Sequence, residues 1–141
     1  MVAGRVTIAL VTALLVPGAA LAQSGALEAA AQSARDAWLA HDVQTLVAQS
    51  PNLILQIPGA DPSSPVSRAQ AAELLRRYLA AADEQSLTVV TVREVEDGKG
   101  FVELARRYVV RGTTDVRREA LFLAFRRAAD GWRLTEIRSA G

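Results

Sequence analysis

Six side chains of this sequence stand where they could do more than pack: Trp38, Tyr78, Glu103, Arg106, Tyr108 and Glu119. Glu103 and Glu119 fall within strand-like stretches. A carboxyl carried into the interior there would have its pKa raised, so that it could act as an acid or donate a hydrogen bond. Tyr108 or Tyr78 beside it would supply a hydroxyl donor. The same carboxylates could instead pair across a sheet with Arg106, Arg107 or Arg117, which is an ion pair without chemistry. Trp38 and Trp132 are expected to anchor packing, as large aromatics do. His41, the single histidine, is a possible lone base with Asp42 beside it, or simply the residue before a helix cap.

The residue inventory also excludes chemistry. One histidine and no cysteine rule out His clusters, thiol nucleophiles and most zinc sites, so no metal or cofactor is expected. Neither a G-x-S-x-G elbow, a Walker loop nor a dinucleotide fingerprint occurs, and Gly98-Lys99-Gly100 reads as a hairpin turn.

Met1 to Arg5 carry one positive charge and no acid, and Val6 to Ala22 run apolar, with Ala20-Leu21-Ala22 offering small residues at −3 and −1. This predicts a secretory signal peptide over residues 1–22, cut between Ala22 and Gln23. The uninterrupted apolar run ends at Val16, short of the roughly 20 residues that a membrane span needs, so no stable anchor is expected after cleavage. The remainder, residues 23–141, fits one domain that is periplasmic or secreted and held together without disulfides. Basic residues number 16 and acidic ones 15. Removing Arg5 balances them, which argues against a nucleic-acid partner.

The elements that would hold the six residues follow from periodicity. Leu27, Ala30, Ala31, Ala34, Ala37 and Trp38 recur at helical steps, predicting a helix over 25–40. Asp42 is placed to cap a short second helix at 43–47. Leu53–Ile57 reads as a short strand and Pro58–Pro65 as an irregular loop. Ser67-Arg68-Ala69-Gln70 has the spacing of a capping box and opens a helix to about Ala82. Beyond Gln85 the period turns to alternation, giving strands at 87–95, 101–110, 117–127 and 132–138. Asp97-Gly98 and Asp130-Gly131 are read as two-residue type I′ turns. The first turn pairs Glu96 with Lys99 and so sets Leu87 opposite Tyr108 and Val89 opposite Arg106.

The fold class predicted is α+β, with N-terminal helices packed on a curved antiparallel sheet made of a four-stranded meander and one short strand. One face gathers Leu87, Val89, Val95, Val102, Leu104, Tyr108 and Val110, with Leu121, Leu123, Phe125, Trp132 and Leu134. The other still carries Val90, Val92, Phe101 and Val109, with Ala120, Phe122, Ala124 and Ile137, more than a water-facing sheet should show. A homodimer through the sheet is the expected cover.

The order helix, capped helix, strand, helix and long meander resembles the nuclear transport factor two-like superfamily, the cone also called SnoaL-like or cystatin-like. Ala37-Trp38-Leu39-Ala40-His41-Asp42-Val43-Gln44-Thr45-Leu46 is similar to its helix, Gly-Asp, helix pattern, with His41 where Gly is usual. Ser67 to Ala71, followed by Leu74, Leu75 and Tyr78, resembles the third-helix start of small exported members of unassigned function. Leu121 to Arg127 with Gly131 to Ile137 resembles the final hairpin. The resemblance implies a conical pocket, often within a dimer, but no particular chemistry, since the superfamily includes isomerases, dehydratases and domains that only bind.

Two functions are therefore expected. One is an exported domain that binds an apolar or amphipathic small ligand, or a protein partner, in the cone or on the sheet. The alternative is a small isomerase or dehydratase using Glu119 or Glu103 as base and Tyr108 as donor. That alternative requires a buried carboxylate near the tyrosine and without an arginine partner.

Overall fold

The computed structural model of the chain describes residues 18–140. Residues 1–17, which carry most of the expected leader, lie outside that range.

Helix α1 spans Gly18–Leu39, starting earlier than Gly25, so Ala22 and Gln23 lie within its first turns. Its stripe Leu27, Ala31, Ala34, Ala37 and Trp38 is buried. Leu27 sits against Gly100, where an added Cβ would fall 2.7 Å from Leu27 Cδ2. Glycine at 100 is therefore what lets the helix approach the sheet. At its other end His41 has φ 54°, the His41 N–H donates to Trp38 O at 3.0 Å, and the Asp42 N–H donates to Ala37 O at 2.8 Å. These two bonds make a Schellman ending, whose left-handed residue is normally glycine. That is the physical reason for the Gly usual at this place in the pattern the sequence resembles.

Asp42 then caps α2, Val43–Val47, accepting from the Thr45 N–H. Strand β1, Asn52–Gln56, leads to the short β2, Val66–Ser67. Helix α3, Arg68–Ala80, opens with the complete Ser67/Gln70 capping box. Strands β3 Ala82–Glu96, β4 Lys99–Val110, β5 Val116–Ala128 and β6 Gly131–Ala140 follow. The six strands form one curved, unclosed sheet in the order β2-β1-β6-β5-β4-β3. The helices pack on one face of it around a core that includes Leu53, Leu75, Leu79, Leu104, Leu121 and Ile137.

Three expectations about the sheet are corrected. First, it is mixed and six-stranded: β1 runs parallel to β6, with Leu55 opposite Ile137, and β2 adds a two-residue rim. Second, Glu96 does pair with Lys99, but β3 carries three register shifts, so Leu87 lies opposite Arg106 and Glu84 opposite Tyr108. The turn is not type I′ either, because Gly98 has positive φ and Asp97 does not. Third, the last turn is Ala129-Asp130, with Ala128 opposite Gly131, and a bulge at Thr135 in β6, opposite Ala124 and Phe125, moves Ile137 to the core face. Each bulge inserts a residue and reverses the alternation beyond it, which a pattern count along the sequence passes over. The bulges on β3 have a use, since it is the free edge of the sheet and irregular edges resist pairing with other chains.

Candidate functional site

Two helix ends and three strands converge on Arg106. Trp38 comes from the last turns of α1, Tyr78 from the end of α3, Glu84 from the start of β3, Arg106 and Tyr108 from β4, and Glu119 from β5. Arg106 is 2 % exposed. Its Nε donates to both carboxylate oxygens of Glu84 at 3.1 Å, and Nη2 donates to Glu84 Oε1. Its Nη1 donates to Glu119 Oε1 at 2.5 Å and to the Tyr78 hydroxyl oxygen at 2.9 Å. Tyr78 in turn donates to Glu119 Oε1 at 2.6 Å. The guanidinium carbon stands 3.9 Å from the Tyr108 ring centroid and 5.1 Å from those of Trp38 and Tyr78, so the cation is also held through aromatic faces.

Electrostatics follow from that geometry. Burial by itself would lower the Arg106 pKa, but the bonds to Glu84 and Glu119 outweigh it and push the guanidinium above its ordinary value. Burial, then the bond to Glu119, hold the Tyr78 hydroxyl above the usual phenol range, so it stays protonated as a donor. A buried ion pair is tolerable only when the desolvated groups are this fully hydrogen-bonded. The carboxylates here are occupied by the arginine they neutralise.

Five of the six candidates therefore meet: Trp38, Tyr78, Arg106, Tyr108 and Glu119. Glu103 does not. It sits three residues before Arg106 on β4, and strand alternation turns it to the opposite, outer face, across from Phe122. His41 and Asp42 serve the α1–α2 junction, where hydrogen bonds from Thr45 hold the Asp42 carboxyl below the usual range. Glu84 escaped the sequence reading. It lies where the helical pattern was expected to have just ended, and the β3 register shifts hide its parity. Among the described residues no three His, Asp or Glu side chains converge as a metal site would require, and no helix is long and apolar enough to cross a membrane.

The outer face is built differently. Across β3, β4 and β5 it carries Ser86, Arg107 and Arg118 in one row; the next row, reaching β6, is Thr88, Ala105, Ala120 and Ala140. Then come Thr91, Glu103, Phe122 and Arg138, followed by Arg93, Phe101, Ala124 and Glu136. Two adjoining clefts of about 500 Å³ each open here. One lies over Phe101 and Phe122 and the other over the alanines and the Arg107/Arg118 pair, with Glu103 bordering both. Phe101 is 43 % exposed, and the Arg138 guanidinium lies 4.8 Å from the Phe122 ring centroid.

No protein-family model matches the chain, and neither does any curated protein. Solved structures do. A ketosteroid isomerase-like protein from Erwinia carotovora atroseptica superposes with a TM-score of 0.68 at 19 % identity, over 83 % of this chain and 94 % of that one. An NTF2-like protein with a cystatin-like fold from Novosphingobium aromaticivorans gives 0.61 at 16 % identity, over 86 % and 82 %. A DUF4783 family protein from Bacteroides ovatus gives 0.62 at 14 % identity, over 76 % and 90 %. At such identities the likeness is one of architecture. The chain has the nuclear transport factor two-like fold, an α+β cone.

Proposed function

We propose that the chain is exported and works as a small binding domain without catalytic activity of its own, holding an apolar or amphipathic small molecule on the outer face of its sheet. The observation that carries this reading is the occupation of the inner carboxylates. An isomerase or dehydratase of the kind the sequence reading allowed would need a buried base near a tyrosine and clear of arginine. Glu119 has the tyrosine, but Arg106 holds the same oxygen at 2.5 Å. The inner face is thus spent on itself, while about 500 Å³ stands open in each outer cleft. Apolar floors with a few polar groups at the rim are the usual make-up of ligand sites.

A second reading, a homodimer through the sheet, is favoured by the exposure of Phe101 and Val116. A second copy would cover the same residues as the ligand and compete with it. Native mass spectrometry of the protein isolated from the compartment where it accumulates separates the two. A monomer carrying a small-molecule increment supports the binding reading, and a dimer without adduct supports the second. An intact mass starting at Gln23 supports export. A bare monomer with the leader retained would overturn the proposal.

A further inference from the structure

Arg107 and Arg118 are directly opposite each other on β4 and β5. Like charges so placed destabilise a sheet unless something neutralises them. Several neighbouring cations have found carboxylates: Arg106 has Glu84 and Glu119, Arg111 has Asp83, Arg117 has Asp115 and Arg127 has Glu94. Among the described residues Arg107 and Arg118 have none within salt-bridge distance. Both are exposed, and Ser86 sits beside Arg107 on the third strand. The pair borders a cleft floored by Ala105, Ala120 and Ala140, side chains short enough to leave room over the sheet.

We propose that this row is the head-group site for an anion carried on an apolar chain, a carboxylate or phosphate monoester of a small amphiphile. The inference rests on the binding reading above and names its ligand class. Guanidinium groups suit both anions because their N–H fork matches two oxygens at once. The tail would run over the alanine row to Phe122 and Phe101. Phe122 lies four residues from Arg118 on the same strand, about 13 Å at the usual rise of roughly 3.3 Å per residue. In that second cleft Arg93 and Arg138 are matched in number by Glu103 and Glu136, so the tail end is neutral overall. The head end keeps an excess positive charge, because Glu119, which also lines that cleft, is paired with Arg106, leaving Glu103 against Arg107 and Arg118.

Isothermal titration of the purified protein with decanoate, decyl phosphate, decanol and inorganic phosphate tests this. Decanoate and decyl phosphate should bind, more weakly as salt rises. The pair of changes Arg107→Gln and Arg118→Gln should weaken both by tenfold or more, while the decanol response is unmoved and Arg118→Lys alone costs less. Both positions are exposed, and circular dichroism verifies that the variants keep their fold. If decanoate and decanol bind equally and the glutamine variants change neither, the head-group inference is wrong and the binding reading survives. If inorganic phosphate binds as tightly as decyl phosphate, the ligand is a free anion and the amphiphile is overturned. If none of the four binds, both readings fall.

Discussion

Arg106 and Arg107 are adjacent in β4 and have opposite fates. Arg106 points among the helices, meets Glu119 across the strand pair and Glu84 from β3, and is stacked against Tyr108. Arg107 points to the outer face and meets Arg118. A single step along a strand changes the side chain's face, so one arginine completes a buried network and the next adds unbalanced charge to an open cleft. Paired charges on the inner face and unpaired guanidinium groups on the outer one separate the two regions.

The strongest way to break that contrast is to remove the inner arginine. Arg106→Met should cost about 3–5 kcal/mol in urea unfolding, because it leaves Glu84 and Glu119 buried without a counter-charge. Combining it with Glu84→Gln and Glu119→Gln should recover most of that loss, since no buried charge then remains. Recovery would confirm that the cost lay in unpaired charge and not in lost packing. The same cluster sets an alkaline limit. The Tyr78 pKa is raised in the fold, so its contribution is complete below the free phenol value of about 10 and declines as pH rises above it. Tyr78→Phe should flatten that alkaline decline of Tm.

Packing gives the next contrast. Gly100→Ala should destabilise by about 1–3 kcal/mol, because its methyl would press into Leu27 on the inner face. At the α1 terminus, His41→Gly should gain about 1 kcal/mol, by releasing a non-glycine residue from the left-handed conformation. The smallest effect belongs to the outer face: Arg118→Gln should shift stability by no more than about 0.5 kcal/mol, as surface changes generally do. A large loss there would mean that Arg107 and Arg118 are structural after all, and would erase the difference between the two faces.

Local chemistry was legible in the sequence. The capping box at Ser67/Gln70, the Asp42 cap, the buried stripe of α1, the pairing of Glu96 with Lys99 and the α+β order all depend on residues within a few positions of each other. Short-range hydrogen bonds and side-chain periods are written directly into the order of residues. Five of the six residues singled out share one buried cluster; aromatic and charged residues in core-like stretches are conspicuous, but the sequence did not say whether that cluster binds anything. Their partners were a tertiary matter. Three bulges in β3 and one in β6 reset which residues face inward, so Glu84 joined Arg106 and Ile137 entered the core. The parallel pairing of β1 with β6 likewise joins segments some eighty residues apart. Whether an arginine on these strands meets a glutamate or another arginine depends on register, and register is settled only when the strands pair across the sheet and bury one face together.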